Sequence, residues 1–209
     1  MEKLKIPKPY TAGEKDVKNV IAPSALEITP NYLKLGGKFV KTVFLFTYPR
    51  YLSSGWFDQI INSPNLLDIS IFVHPIDTVA ALRTLRKKTT QIEAQLLERQ
   101  EKGLVRDPQL ETAFQDIEML RDQLQQAQER LFNVGLYIAI YADTLKELES
   151  LEEKFYALLE SQLVYAKPAT FQQLEGLVST LPLNQDKLLI HTPLNSGPVS
   201  SFFPFSSTD

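Results

Sequence analysis

Cysteine is absent from the 209 residues, tryptophan occurs once and methionine twice. The lack of cysteine excludes disulfides, thiolate metal sites and thiol catalysis together, and it fits a reducing compartment. Long apolar runs are lacking too: the longest fall far short of the ~20 residues needed to cross a bilayer. The chain opens Met-Glu-Lys-Leu-Lys-Ile-Pro-Lys-Pro, with no apolar stretch after it, so no secretory signal is read. There is no excess of one charge. The 22 basic and 25 acidic side chains leave a formal −3, which gives no general attraction to a phosphate backbone, so direct nucleic-acid binding is not expected. What is there is ordinary globular composition, 44% apolar and 22% charged. It points to a cytoplasmic protein.

Catalytic signatures are equally scarce. Gly36-Gly37-Lys38 lacks the upstream glycine of a phosphate-binding loop and opens a strand rather than a helix. No nucleophile-elbow, zincin or calcium-loop pattern occurs. His74 stands where a strand meets Pro75, and His191 lies in a C-terminal loop. Neither has an Asp/Glu/His cluster at ligand spacing beside it, so both read as structural or surface histidines. No catalytic residue, cofactor-binding residue or metal ligand is expected in this chain.

The hydrophobic pattern carries more information. Residues 1–25, punctuated by Pro7, Pro9, Gly13 and Pro23, read as a flexible arm. Leu26–Thr29 and Tyr32–Leu35 read as short strands, and Gly36-Gly37 as a tight turn. Phe39–Tyr48 is β-branched and aromatic on both faces, the pattern of a strand buried on both sides. After Pro49, Ser53 or Ser54 can cap a short helix, Trp56–Ile61. Leu66–Val73 alternates, with Asp68 and Ser70 marking a wetter face.

Asp77 opens a long helix, Lys102-Gly103 ends it, and Asp107-Pro108 starts another, whose stripe runs from Leu110 to Leu131. The short joining loop makes residues 77–131 an antiparallel helical hairpin. Phe132–Ala142 is a second two-sided strand. Thr144 and Glu147 form a capping box for the next helix, with Leu145, Leu148, Leu151, Phe155 and Leu158 inward. Leu163–Ala166 is a short strand, Thr170–Val178 a last helix, and residues 182–209 a proline- and serine-rich linker.

From Phe39 the order is β-α-β, hairpin, β-α-β. Without the hairpin this is a split βαβ, so an α+β, ferredoxin-like antiparallel sandwich is expected over residues 26–181, with the hairpin inserted between the second and third core strands. That topology puts its first and third strands in the middle, where the two doubly apolar strands belong. The strands before Phe39 are left to extend the sheet or lie across it.

Two groups of side chains stand out as interface candidates. Tyr48-Pro-Arg50-Tyr51, followed by Gly55-Trp56, mixes aromatics with arginine, as interfaces do. The plainer reading is a helix-entry turn with Trp56 in the core. Arg83, Arg86, Lys87 and Lys88 form a basic run that could meet phosphate or lipid headgroups, and salt bridging to the acidic second helix of the hairpin is the simpler alternative. Glu147, Glu149, Glu152 and Glu153 read as a solvated helix face rather than paired catalytic carboxylates.

The landmarks resemble those of the N-terminal domain of conjugative-transfer and type IV secretion traffic ATPases, the VirB/TraC/TrbE/CagE class. The resemblance rests on Tyr48-Pro-Arg, Gly55-Trp56, Asp68-Ile-Ser-Ile71 leading to Pro75, and Glu101-Lys-Gly103 with Asp107-Pro108. It is completed by Lys167-Pro-Ala-Thr-Phe-Gln-Gln173, Leu181-Pro182 and Phe202-Phe-Pro-Phe205. It implies a docking and assembly domain without catalysis of its own, joined through residues 182–209 to a C-terminal RecA-like motor that holds ATP and magnesium. The implied partners are that motor, inner-membrane secretion-channel proteins and neighbouring subunits of a hexamer, at the inner face of the cell membrane. A stand-alone coiled-coil adaptor that binds a helical partner is the alternative.

Overall fold

The computed structural model describes residues 25–202, so the expected N-terminal arm and the residues after Phe202 lie outside the described residues. The described residues form a mixed α and β fold, a seven-stranded antiparallel sheet with six helices. The strands are β1 (Leu26–Ile28), β2 (Leu33–Leu35), β3 (Lys38–Thr47), β4 (Leu67–Pro75), β5 (Leu131–Ala142), β6 (Tyr165–Pro168) and β7 (Thr192–Asn195). The helices are α1 (Asp58–Ile61), α2 (Thr78–Glu101), α3 (Pro108–Gln125), α4 (Leu145–Ser161), α5 (Gln173–Thr180) and α6 (Ser196–Ser200).

β3 and β5 pair with each other along Phe39–Leu45 and Leu136–Ala142 and form the middle of the sheet. Among the described residues β4 pairs only with β5, and β6 only with β3. β1 and β2 extend the sheet beyond the start of β3, through a turn in which Gly36 takes the left-handed region at φ 61°. β7 continues the row of β3, pairing with Leu131–Val134 of β5 where β3 has ended.

Alternation along β5 sorts the core. Val134, Leu136, Ile138, Ile140 and Ala142 face α1 and α4, meeting Trp56, Phe57, Ile60, Leu148, Phe155 and Leu159. Tyr137, Ala139 and Tyr141 face the other way, toward α5 and the 181–191 segment, among Leu177, Leu188 and Ile190. A strand covered on both sides has no wet face, which is why β5 shows no polar alternation.

The second face depends on two close contacts. Gly176 of α5 sits so near Thr42 that a Cβ there would lie 2.7 Å from the Thr42 Cβ. Thr42 lies between the reach of β2 and that of β6, where β3 lacks a strand neighbour on the side away from β5. There the buried Gln173 side chain takes the place of a strand, its Oε1 accepting from the Thr42 N–H at 2.8 Å.

Several boundaries differ from the sequence reading. α1 starts from Phe57 with no side-chain cap, so neither Ser53 nor Ser54 caps it. α3 ends at Gln125, not Leu131: Ala127 adopts a left-handed φ of 57° and Leu131 already belongs to β5. Leu163, also left-handed at φ 58°, ends the α4 segment and delays the next strand to Tyr165. Leu159 is the fully buried residue of that last turn, with Leu158 beside it at the edge of the core. The 182–209 stretch is not a bare linker as far as it is described, because β7 joins the sheet and Phe202 is buried at 3% exposure.

Candidate functional site

Three features of the surface could carry function, and each begins with a strand end. The first is the hairpin. β3, β4 and β5 bring Thr47, Pro75 and Leu131 to one end of the sheet, and α2 and α3 leave from there. Asp77 caps α2, accepting from the Ala80 N–H at 2.9 Å, and Asp107 caps α3 with Pro108 in its first turn. With 24 residues, α2 extends about 36 Å at ~1.5 Å per residue.

The hairpin seam is made of Leu82, Leu85, Ile92 and Leu96 against Leu110, Phe114, Ile117, Leu120 and Leu124. Of these only Leu124 is fully covered. Two helices alone cannot enclose a stripe this wide, so apolar side chains stay half-exposed along its length. At the tip Val105 is 85% exposed beside Leu104. The buried Thr89 interrupts the apolar seam, its hydroxyl donating to the Leu85 carbonyl and to Glu118.

The second feature is the aromatic turn after β3. Tyr48 and Trp56, both named as interface candidates, pack inward, as the plainer reading placed Trp56: their rings and that of Phe202 lie 5.3–6.3 Å apart, centre to centre, in edge-on contacts. Burial pushes the Tyr48 phenol well above its ordinary range. Arg50 pairs with Asp116 of α3, tying the turn to the hairpin, and its guanidinium lies over the Tyr51 ring. Tyr51 is the aromatic of this turn left open, at 78% exposure.

The basic run lies on the outer side of α2. Arg83, Arg86, Lys87 and Lys88 are exposed, and none of them pairs with an acid among the described residues, so the expected bridging to the second helix is not observed. The reason is register. Across a shallow groove from Arg83 and Arg86 stand Arg121 and Gln125 of α3, and Arg121 pairs with Glu118 on its own helix. The acidic helix face also needs correction at one position. Glu152 of α4 is mostly buried, holding Lys41 at 2.5 Å and accepting from the Tyr156 hydroxyl at 3.0 Å. Glu147, Glu149 and Glu153 remain exposed.

The third feature joins residues that the sequence kept far apart. On the α5 side of the sheet, His74 near the end of β4, His191 just before β7, and Asp186 from the intervening segment each offer a ligand atom within 4.8 Å of the others. His191 Nε2 and Asp186 Oδ2 are 2.6 Å apart. The other carboxylate oxygen, Oδ1, accepts from the Tyr137 hydroxyl at 2.9 Å and from the Leu189 N–H at 2.9 Å. Tyr137 is fully buried, and desolvation followed by the neighbouring Asp186 pushes its phenol well up, so it stays a proton donor.

Ser179 sets the position of this segment: its hydroxyl accepts from the Lys187 and Leu188 N–H groups. The polar residues of β4 point to this same side, where Ser70 donates to the Ser179 carbonyl and Asp68 accepts from Tyr141. The face read as wetter is therefore covered by α5 and satisfied by polar partners, while Ile71 and Val73 on the opposite face stay partly open. Sequence reasoning missed the His74–Asp186–His191 group because its members come from separate segments. Its local trace was only the position of His74 in register with Ser70 and Phe72, and the five-residue step from Asp186 to His191.

No protein-family model matches the chain, and no curated protein is significantly similar to it. No helix among the described residues is long and apolar enough to cross a membrane.

Proposed function

We propose that this chain is a docking and assembly domain of a conjugative-transfer or type IV secretion ATPase, working beside a motor domain rather than turning over a substrate itself. The observation that carries the reading is the hairpin. It leaves one end of the sheet, its stripe is wider than two helices can cover, and its tip ends in Leu104 and Val105. Half-exposed apolar stripes of this kind are what partner helices cover.

The reading also takes the order β6-β3-β5-β4, with α1, the hairpin and α4 as connections, as a ferredoxin-like split βαβ core. In that frame the hairpin is an insertion between the second and third core strands. The partners on this reading are the motor that follows, inner-membrane channel proteins and neighbouring subunits of a hexamer, at the cytoplasmic face of the membrane. ATP and magnesium belong to the motor.

The alternative is a free-standing adaptor whose hairpin grips a helical partner, and the same exposed stripe favours it. One experiment separates the two. Residues 78–125 are replaced by a short Gly/Ser loop, retention of the sheet is checked by circular dichroism, and binding to inner-membrane vesicles carrying the secretion channel is measured by co-sedimentation. The docking domain loses the hairpin's share of the binding and keeps a contact through the sheet, whereas the adaptor loses all binding. Reading the gene past Asp209 is a direct check, with a phosphate-binding loop expected downstream. A natural stop there, with no motor encoded alongside, overturns the proposal.

A further inference from the structure

β4 and β7 flank β5, so at ~4.8 Å per strand spacing their backbones lie about 9.6 Å apart. Two side chains from these flanking strands normally have a β5 side chain between them. Between Phe72 of β4 and His191, the residue just before β7, that position is Gly135, and a Cβ there would lie 2.6 Å from the Tyr137 oxygen and 3.1 Å from the His191 ring. His74, in register with Asn133 one step along, reaches diagonally to His191 beside this gap, and the two imidazoles meet edge to face, 5.3 Å between centres, while Phe72 lies nearly parallel to His74. Asp186 comes in from the 181–191 segment and completes a set of two imidazoles and one carboxylate.

We propose that His74, Asp186 and His191 bind one divalent transition-metal ion of the zinc(II) type. Imidazole with carboxylate and no thiolate suits zinc and its first-row neighbours, and it disfavours magnesium and calcium, which take oxygen ligands. Three protein ligands leave a fourth position open on the side where His74 is exposed.

The surroundings of Asp186 are those of a metal-bound carboxylate. Its Oδ1 is held by Tyr137 and Leu189, which aims Oδ2 toward the two histidines. Outer partners of this kind orient a metal ligand.

Tetrahedral zinc with bonds of ~2.0–2.1 Å sets its ligand atoms about 3.3 Å apart. Binding therefore opens the 2.6 Å contact between His191 and Asp186 slightly and draws in the exposed ring of His74. Nε2 of His191 must be free of a proton to hold the ion, so the imidazole binds as the tautomer with its proton on Nδ1. The ion would pin the 181–191 segment to β4, adding to the packing of Phe72 in the cluster that holds Leu188 and Ile190. This inference stands apart from the secretion reading and does not depend on it.

The test uses the full chain without a histidine tag. Zinc(II) binding is measured by titration calorimetry, with magnesium as a control, and thermal unfolding is followed with and without zinc. One zinc per chain, a raised melting temperature and no magnesium binding are expected. His191 also holds Asp186, so the decisive variant is His74→Ala, which removes an exposed ring and leaves the His191–Asp186 pair in place.

In chelator, His74→Ala should melt with the wild type. It should lose the zinc-induced rise and weaken binding by more than the roughly 10–100-fold cost of losing an outer partner. Tyr137→Phe should weaken binding within that 10–100-fold range. Absence of zinc binding by the wild type, or equal binding by His74→Ala, overturns the proposal.

Discussion

Tyr137 donates to Asp186 Oδ1 at 2.9 Å from the centre of the sheet, while its oxygen also accepts from the Ile190 N–H at 3.2 Å. One buried phenol on β5 thus holds the side chain of one loop residue and the backbone of another. Replacing it with Phe conserves the ring, leaves the Ile190 N–H without its partner, and leaves Asp186 Oδ1 with the Leu189 N–H alone. Tyr137→Phe is expected to destabilise the fold by about 1–3 kcal/mol, the usual cost of orphaning a buried polar group. Urea unfolding followed by circular dichroism checks it, and an unchanged midpoint would contradict the role given to this hydroxyl.

Lys41 and Glu152 link β3 to α4 with both side chains mostly buried. Breaking such a pair from one side leaves an uncompensated charge, at a cost of about 3 kcal/mol, whereas replacing both with apolar groups of similar size can be nearly neutral. Lys41→Met and Glu152→Leu should each lower the urea midpoint clearly, and the double variant should recover much of the loss. A double variant whose loss equals the sum of the singles would show the two charges to be uncoupled.

Four tyrosines, Tyr48, Tyr137, Tyr141 and Tyr156, have their phenols pushed above the ordinary range, chiefly by burial. For a raised acid the folded state keeps its proton after the unfolded state has lost it. Stability is therefore fully present below the unfolded value of ~10 and falls as pH rises past it. Unfolding above pH ~10 should release up to four protons per chain from these residues. Phenolate absorbance should rise in step with loss of the circular dichroism signal, and titration of all eight tyrosines in a still-folded chain would contradict this.

The sequence by itself determined the local elements. Apolar runs continuous on both faces mark β3 and β5, aspartate caps mark α2 and α3, and the Thr144–Glu147 pair marks α4, because these signals depend on neighbours a few residues away. Boundaries moved where the backbone turned left-handed at Ala127 and Leu163, since neither residue type announces that conformation.

Tertiary structure decided everything that depends on who sits opposite. It turned Tyr48 and Trp56 inward onto Phe202, set Arg121 rather than an acid across from Arg83 and Arg86, and recruited residues 192–195 as a strand. It also brought His74, Asp186 and His191 together over Gly135. A pairing of that kind is written in the register of three strands and in one missing side chain, and no short window of sequence contains it.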